Sequence, residues 1–192
     1  MDYHSLRTGR DDVVRDGSDF EAYRRPGTLI DSDHAKITAY ARQVAGEGDD
    51  REKALRLYYA VRDGLRYDPY NTPMKREAYR ASTTLASGHG YCVNKAGLMA
   101  AVCRAVAIPA RVGYADVRNH LPTQRLRDLL KTDLYVWHGY TELWIDGRWL
   151  KATPVVDAQL LTPEVGVPVL WWRSVGATHT AYVMEHTIDQ LA

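Results

Sequence analysis

The sequence is poor in cysteine and phenylalanine and has almost no net charge, so none of these features assigns it to a functional class. It contains two cysteines and one phenylalanine, and its 25 basic and 24 acidic residues leave a formal net charge of +1. This balance gives no electrostatic reason to expect nucleic acid as a partner. No apolar run approaches membrane-spanning length, and the first residues do not form the apolar centre of a signal peptide. We therefore expect a cytoplasmic protein that binds neither nucleic acid nor a membrane.

The two cysteines are not expected to form a disulfide with each other. Cys92 and Cys103 lie in one predicted helix, so a rise of about 1.5 Å per residue separates their backbones by ~16 Å, whereas a disulfide needs Cα atoms within about 7 Å. A metal site is not predicted either. No His-Glu-x-x-His pattern occurs, and His179 and His186 lack companions that would complete a ligand set. The sequence therefore predicts no metal and no other cofactor.

The most informative stretch is a glycine-flanked loop followed by an apolar run. Residues 88–91 read Gly-His-Gly-Tyr, and from Cys92 to Val106 the chain is apolar or small on nearly all sides, which predicts a buried helix that begins at the cysteine. Free N–H groups and the positive end of the helix dipole favour a thiolate there. We expect Cys92 to be a nucleophile with a lowered pKa. The alternative interpretation is a small buried cysteine without chemistry.

The remaining periodicity predicts helices before the cysteine and mainly strands after it. Amphipathic helices are expected over residues 31–46, capped within Asp31-Ser32-Asp33, and over 49–64. A strand is expected over 110–117 and a helical excursion over 118–133.

A hairpin is the clearest local signal. Asp146-Gly147 favours a type I′ turn between strands at 134–145 and 148–154. Counting from this turn places residues of matching character opposite each other: Trp144 with Trp149, Glu142 with Lys151, and Leu143 with Leu150. This agreement predicts the register as well as the turn. If the pairing continues past Pro154, His138 lies opposite Val155.

A buried helix headed by a cysteine and followed by a sheet that carries a histidine is the arrangement that thiol catalysis requires. The motifs are Gly90-Tyr91-Cys92, Ala-Ile-Pro-Ala-Arg-Val at 107–112, and the hairpin from His138 to Trp149. With these motifs, residues 31–157 resemble the transglutaminase-like superfamily of papain-type thiol enzymes. The resemblance implies an α+β fold in which the buried cysteine helix packs on an antiparallel sheet. The length of 192 residues suits one sizeable core and predicts a single catalytic domain over 1–192. The resemblance also implies that Cys92 is the nucleophile and His138 the general base.

The third member of the implied triad departs from the superfamily pattern. Thr153 stands where the superfamily usually has an aspartate, and a threonine cannot stabilise an imidazolium by charge. Asp116 and Asp157 are the candidates for that role. We favour Asp116, because it ends the strand expected beside the His138 strand, whereas Asp157 follows a proline. His120 is an alternative base, although a solvated loop histidine is the interpretation we prefer.

The same resemblance implies an acyl donor. This combination of sequence features is similar to that of the transglutaminase-like Dieckmann cyclases of antibiotic biosynthesis, which release polyketide–peptide chains from a carrier protein as tetramic acids. The expected partner is therefore an acyl carrier protein-bound thioester or a small acyl substrate. In the 159–192 tail, residues 169–172 read Val-Leu-Trp-Trp and either wall an acyl pocket or cap the sheet. Transglutaminase, amidase or cysteine protease activity and a catalytically silent binding domain are the alternatives.

Overall fold

The computed structural model describes residues 19–71, 73, 75–118, 131 and 134–155. Four helices and two sheets occupy these ranges, and two short 3-10 helices accompany them at Asp19–Glu21 and Arg76–Tyr79. The helices are α1 (Ala35–Ala45), α2 (Asp50–Gly64), α3 (Ala81–Ser87) and α4 (Cys92–Ala105). The strands are β1 (Arg66–Tyr67), β2 (His89–Gly90), β3 (Ala110–Arg118), β4 (Leu134–Ile145) and β5 (Arg148–Ala152). The predicted α+β architecture is confirmed.

Helix α4 is the centre of the fold. It begins at Cys92, and every residue from 94 to 103 is buried, as the predicted lack of a polar face requires. Helices α1, α2 and α3 contact it, and β3 and β4 also lie against it. The sheet order is β3-β4-β5, antiparallel throughout, while β1 and β2 form a separate parallel pair.

The predicted amphipathic helices form, with one difference in their caps. Asp49 accepts a hydrogen bond from the Glu52 N–H at 2.8 Å, and the Glu52 carboxylate accepts from the Asp49 N–H at 3.3 Å, which completes a capping box at α2. Helix α1 is capped by His34 Nδ1, which accepts from the Lys36 N–H at 3.2 Å. The predicted cap within residues 31–33 is wrong, since Asp31 accepts instead from Ser82.

The hairpin register is confirmed from the turn to the end of β5. The structure pairs the residues predicted from the turn: Trp144 with Trp149, Leu143 with Leu150, and Glu142 with Lys151. Asp146 and Gly147 have φ values of +52° and +78°, as a type I′ turn requires at both central positions.

The prediction that the second hairpin strand continues to Pro154 is wrong. Strand β5 ends at Ala152, opposite Thr141. Proline has no N–H to give to a ladder, and here the chain turns away as the Val155 N–H donates to the Thr153 carbonyl at 2.8 Å. The expected pairing of His138 with Val155 is therefore not formed.

Residues 19–30 lie over the surface and contain the 3-10 helix at Asp19–Glu21 but no other helix or strand. The Phe20 ring packs on Trp144 with ring centroids 4.6 Å apart, and Tyr23 meets Trp149 edge to face at 5.1 Å. This segment covers the face of the hairpin that points away from α4. Along the described ranges, no helix is long and apolar enough to cross a membrane.

Lys95 is a buried lysine that joins the end of α2 to α4. It has no exposed surface, and its Nζ donates to the carbonyls of Arg62 and Leu65 at 2.8 and 2.7 Å. The Arg62 carbonyl belongs to the last turn of α2 and Leu65 is the residue that ends the helix, where carbonyls lack partners within the helix and the dipole is negative. Lys95 therefore fixes the end of α2 against α4.

Replacing Lys95 with methionine is expected to lower the free energy of unfolding by about 2–3 kcal/mol, because two buried carbonyls lose a charged donor. Urea unfolding of Lys95→Met measures the loss. Lys36→Met on the exposed face of α1 is the matched control and should change stability little. A Lys95→Met protein as stable as the control would show that these carbonyls need no lysine.

Candidate active site

The turn before α4 is built to hold Cys92 at the first position of the helix. Asn94 Oδ1 accepts from the Tyr91 N–H at 3.4 Å, and Asn94 Nδ2 donates to the Ala78 carbonyl at 3.0 Å. A Cβ on Gly90 would lie 2.7 Å from the Asn94 Cβ, so only glycine fits beneath that side chain. The thiol that this turn presents is nearly covered, at 7% exposure.

Strand β4 reaches the same point from the other side, and Gly139 is where it touches. A Cβ on Gly139 would lie 2.9 Å from the Val93 Cα and 3.2 Å from the Cys92 carbonyl carbon. Two residues further, the Thr141 hydroxyl donates to the Ala96 carbonyl at 2.9 Å and fixes the strand along the helix. His138 immediately precedes Gly139, so the backbone of the predicted base lies at the Cys92 end of α4, while the contact of its imidazole with the thiol stays a prediction.

The thiol of Cys92 experiences two opposing effects. Burial raises its pKa, while the backbone N–H groups of Gly139, Val93 and Cys92 itself donate toward the sulfur and lower the pKa. Burial is the larger effect, so the pKa lies above the ordinary value of a cysteine. The expectation of a lowered pKa from the helix terminus alone is therefore wrong. A base must remove the proton before Cys92 can attack.

Asp116 lies at a bulge in the sheet. Strands β3 and β4 keep one register as far as the Ala115–His138 pair and then shift by one, so two residues of β4 face Asp116. One of them is Trp137, whose φ of +61° is rare for a bulky residue. Asp116 Oδ1 accepts from the Trp137 N–H at 3.3 Å. The carboxylate thus holds the backbone that leads into His138, while its predicted contact with the imidazole stays a prediction.

The other candidates for orienting His138 stand as follows. Thr153 is buried beyond the end of β5, and its carbonyl accepts from the Tyr58 hydroxyl at 3.4 Å. Asp157 and the alternative base His120 lie outside the described residues, as do His179, His186 and the 159–192 tail. Within the described ranges, no group of three or more His, Cys, Asp or Glu side chains could hold a metal ion.

Sequence reasoning missed the tyrosines near the thiol. Tyr91 and Tyr79 approach with hydroxyl oxygens 3.3 Å apart, and Tyr114 lies opposite Gly139 in the sheet. The adjacency of Tyr91 to Cys92 was visible in the sequence. Placing Tyr114 required the β3–β4 register, which no turn signal between those strands defines.

Alkylation should reveal the raised pKa of Cys92. In His138→Ala, which lacks the proposed base, the rate of Cys92 alkylation by iodoacetamide should rise with pH through a midpoint above that of N-acetylcysteine, because the protonated thiol is unreactive. Peptide mass spectrometry separates Cys92 from Cys103, which is wholly buried and should react far more slowly. A midpoint below that of the free thiol would contradict this account.

Gly139→Val tests the contact between β4 and α4. The added side chain must push the strand from the Cys92 turn, and a displacement on the order of 1 Å should lower the rate of Cys92 acylation by a 4-nitrophenyl ester about 100-fold. Gly27→Val is the control, since a Cβ there meets nothing within 4 Å. Equal rates in the two variants, both folded by circular dichroism, would mean that close approach at Gly139 is unnecessary.

Comparison with known structures finds the same fold in larger proteins. A candidate cysteine protease from Cytophaga hutchinsonii is 23% identical with a TM-score of 0.56, over 74% of this chain and 44% of that one. The periplasmic domain of TgpA from Pseudomonas aeruginosa is 17% identical with a TM-score of 0.55, over 84% of this chain and 51% of that one. The same domain bound to ethylmercury gives 21% identity and a TM-score of 0.53, over 72% and 49%. The chain thus spans about half the length of these structures.

No curated protein matches the chain in sequence. The profile of the Transglutaminase-like superfamily, however, matches residues 38–154, which is more than half of the 192 residues and includes both Cys92 and His138. Together with the helix that begins at the cysteine and the strand that carries the histidine, this match shows that the chain belongs to the transglutaminase-like superfamily.

Proposed function

We propose that this protein is a thiol acyltransferase that forms an acyl-enzyme at Cys92, with a carrier-bound β-ketoacyl-aminoacyl thioester as donor and a tetramic acid as product. The contact at Gly139 is the observation that carries the proposal. It sets the histidine-bearing strand against the turn that holds Cys92, which keeps 7% exposure, whereas Cys103 is wholly buried. A purely structural cysteine needs no such approach.

The first half of the reaction transfers the acyl group to the protein. His138 takes the proton of the Cys92 thiol, and the sulfur attacks the thioester carbonyl, whose π electrons move onto oxygen. The backbone N–H of Cys92 is the proposed donor to that oxyanion. When the intermediate collapses, the carrier thiolate leaves and takes the proton from His138.

The second half closes the ring. His138 removes a proton from the carbon between the two carbonyls of the β-ketoacyl group, and the resulting carbanion attacks the acyl-enzyme carbonyl. Cys92 leaves as thiolate and recovers the proton from His138. No atom of water enters the product, so a site that excludes water favours this outcome over hydrolysis.

The leaving group favours a thioester over an amide donor. A departing thiolate needs little protonation, whereas an amine must receive a proton from the imidazolium, which a neighbouring carboxylate normally stabilises. Here Thr153 replaces the usual aspartate, and Asp116 holds the Trp137 N–H. Cleavage of peptide amides by a transglutaminase, amidase or protease mechanism is therefore the second candidate.

A competition among three donors tests the proposal. The protein is offered an N-(β-ketoacyl)-aminoacyl thioester, a glutaminyl peptide with an amine, and a plain peptide, and products are followed by mass spectrometry. We expect ring closure of the thioester at least about 100-fold above the Cys92→Ala background.

Each other outcome assigns a different function. Turnover of a peptide without ring closure would establish transglutaminase or protease chemistry. No Cys92-dependent turnover and no acyl-enzyme with any donor would indicate a silent binding domain.

A further inference from the structure

The acyl-transfer steps above leave three nearby tyrosines without a role. Tyr91 directly precedes Cys92, and its hydroxyl lies within 3.3 Å of the Tyr79 hydroxyl. Their rings meet edge to face, with centroids 6.2 Å apart. Tyr114 approaches the thiol separately, from strand β3. A cluster of phenols around a nucleophile offers hydrogen-bond donors where negative charge develops.

The sheet register directs Tyr114 toward Cys92. Tyr114 lies opposite Gly139, and opposite residues of an antiparallel pair project to the same face. Gly139 faces the start of α4, since its Cβ would meet Val93. Tyr114 therefore emerges beside the Cys92 turn. The electrostatics agree, because the pKa of Tyr114 is raised first by burial and then by the Cys92 and Tyr79 charges.

Tyr114 is also accessible to a bound substrate. Its side chain is 49% exposed, whereas the other two tyrosines are only partly exposed and engage each other. The Trp137 ring lies against it at 6.0 Å, nearly perpendicular, which limits the directions in which the phenol can turn. Its hydroxyl remains protonated at neutral pH and is therefore a donor.

We propose that Tyr114 is a further catalytic residue, whose hydroxyl donates a hydrogen bond to the oxyanion formed when Cys92 attacks an acyl carbon. The inference rests on the proposed acyl transfer, although it holds for any acyl donor. With the Cys92 N–H it supplies the second donor of the oxyanion hole. The phenol keeps its proton throughout. The new C–S bond forms as the carbonyl π electrons move to oxygen, and they return as the leaving group departs with its own electron pair.

Two reagents separate this role from a structural one. Acylation of Cys92 by 4-nitrophenyl acetate passes through a tetrahedral oxyanion, whereas alkylation by iodoacetamide displaces iodide and forms none. Tyr114→Phe should slow the acylation burst by at least about 10-fold, and up to about 100-fold. It should leave the alkylation rate within about twofold, since the thiol and His138 are untouched. Tyr70→Phe, at an exposed position outside this cluster, is the control for both reactions.

Each remaining result overturns the assignment. Equal slowing of both reactions would place the effect of Tyr114 on the thiol rather than on the oxyanion. Unchanged acylation in Tyr114→Phe, with a Cys92-dependent burst in the wild-type protein, would remove Tyr114 from the mechanism and leave acyl transfer intact. No Cys92-dependent burst in the wild-type protein would defeat the proposed function itself. The melting temperature of each variant confirms that the comparison is between folded proteins.

Discussion

The close approach of strand β4 to the first turn of helix α4 is the constraint on which this structure depends. Backbone meets backbone there, because Gly139 has no Cβ to hold the Val93 Cα away. The Thr141–Ala96 hydrogen bond continues the contact into the core. This contact brings the Gly139 N–H to the Cys92 sulfur and places the backbone of His138, the preceding residue, at the same point. It also sets the side of the sheet on which Tyr114 emerges, because Tyr114 lies opposite Gly139. A wider gap would separate the Cys92 turn from the backbone of His138.

Burial of the thiol has a cost that the site partly offsets. A helix without a polar face must be covered, and the same cover removes water from Cys92 and disfavours its charged form. Three backbone N–H groups stabilise the thiolate and lower the pKa, but their effect is smaller than that of burial. Cys92 therefore favours its protonated form, because its pKa lies above the ordinary value of a cysteine. Attack on an acyl group then depends on a base that takes its proton, which is the role we propose for His138.

The sequence was most predictive where local chemistry decides structure. The Asp146-Gly147 turn determined the register of six paired side chains, and the apolar run after Cys92 determined a buried helix, because both signals lie within a few residues. Prediction failed where distant elements compete. Strand β5 ends before Pro154, where the Tyr58 hydroxyl of α2 donates to the Thr153 carbonyl. Helix α1 is capped by His34 and not by the neighbouring residues 31–33. The bulge at Asp116 has no signature in a sequence that shows each strand by itself.

Membership of the transglutaminase-like superfamily accounts for the fold and for a thiol enzyme in the broad sense, and in our proposal its chemistry takes place at Cys92. That chemistry rests on the Gly139 contact, which nuclear magnetic resonance can observe directly. In ¹⁵N-edited spectra recorded before and after alkylation of Cys92, the Gly139 amide should shift strongly, since its N–H donates to the sulfur, while the remote Gly27 amide should not move. A Gly139 amide that is as indifferent to alkylation as Gly27 would contradict the account.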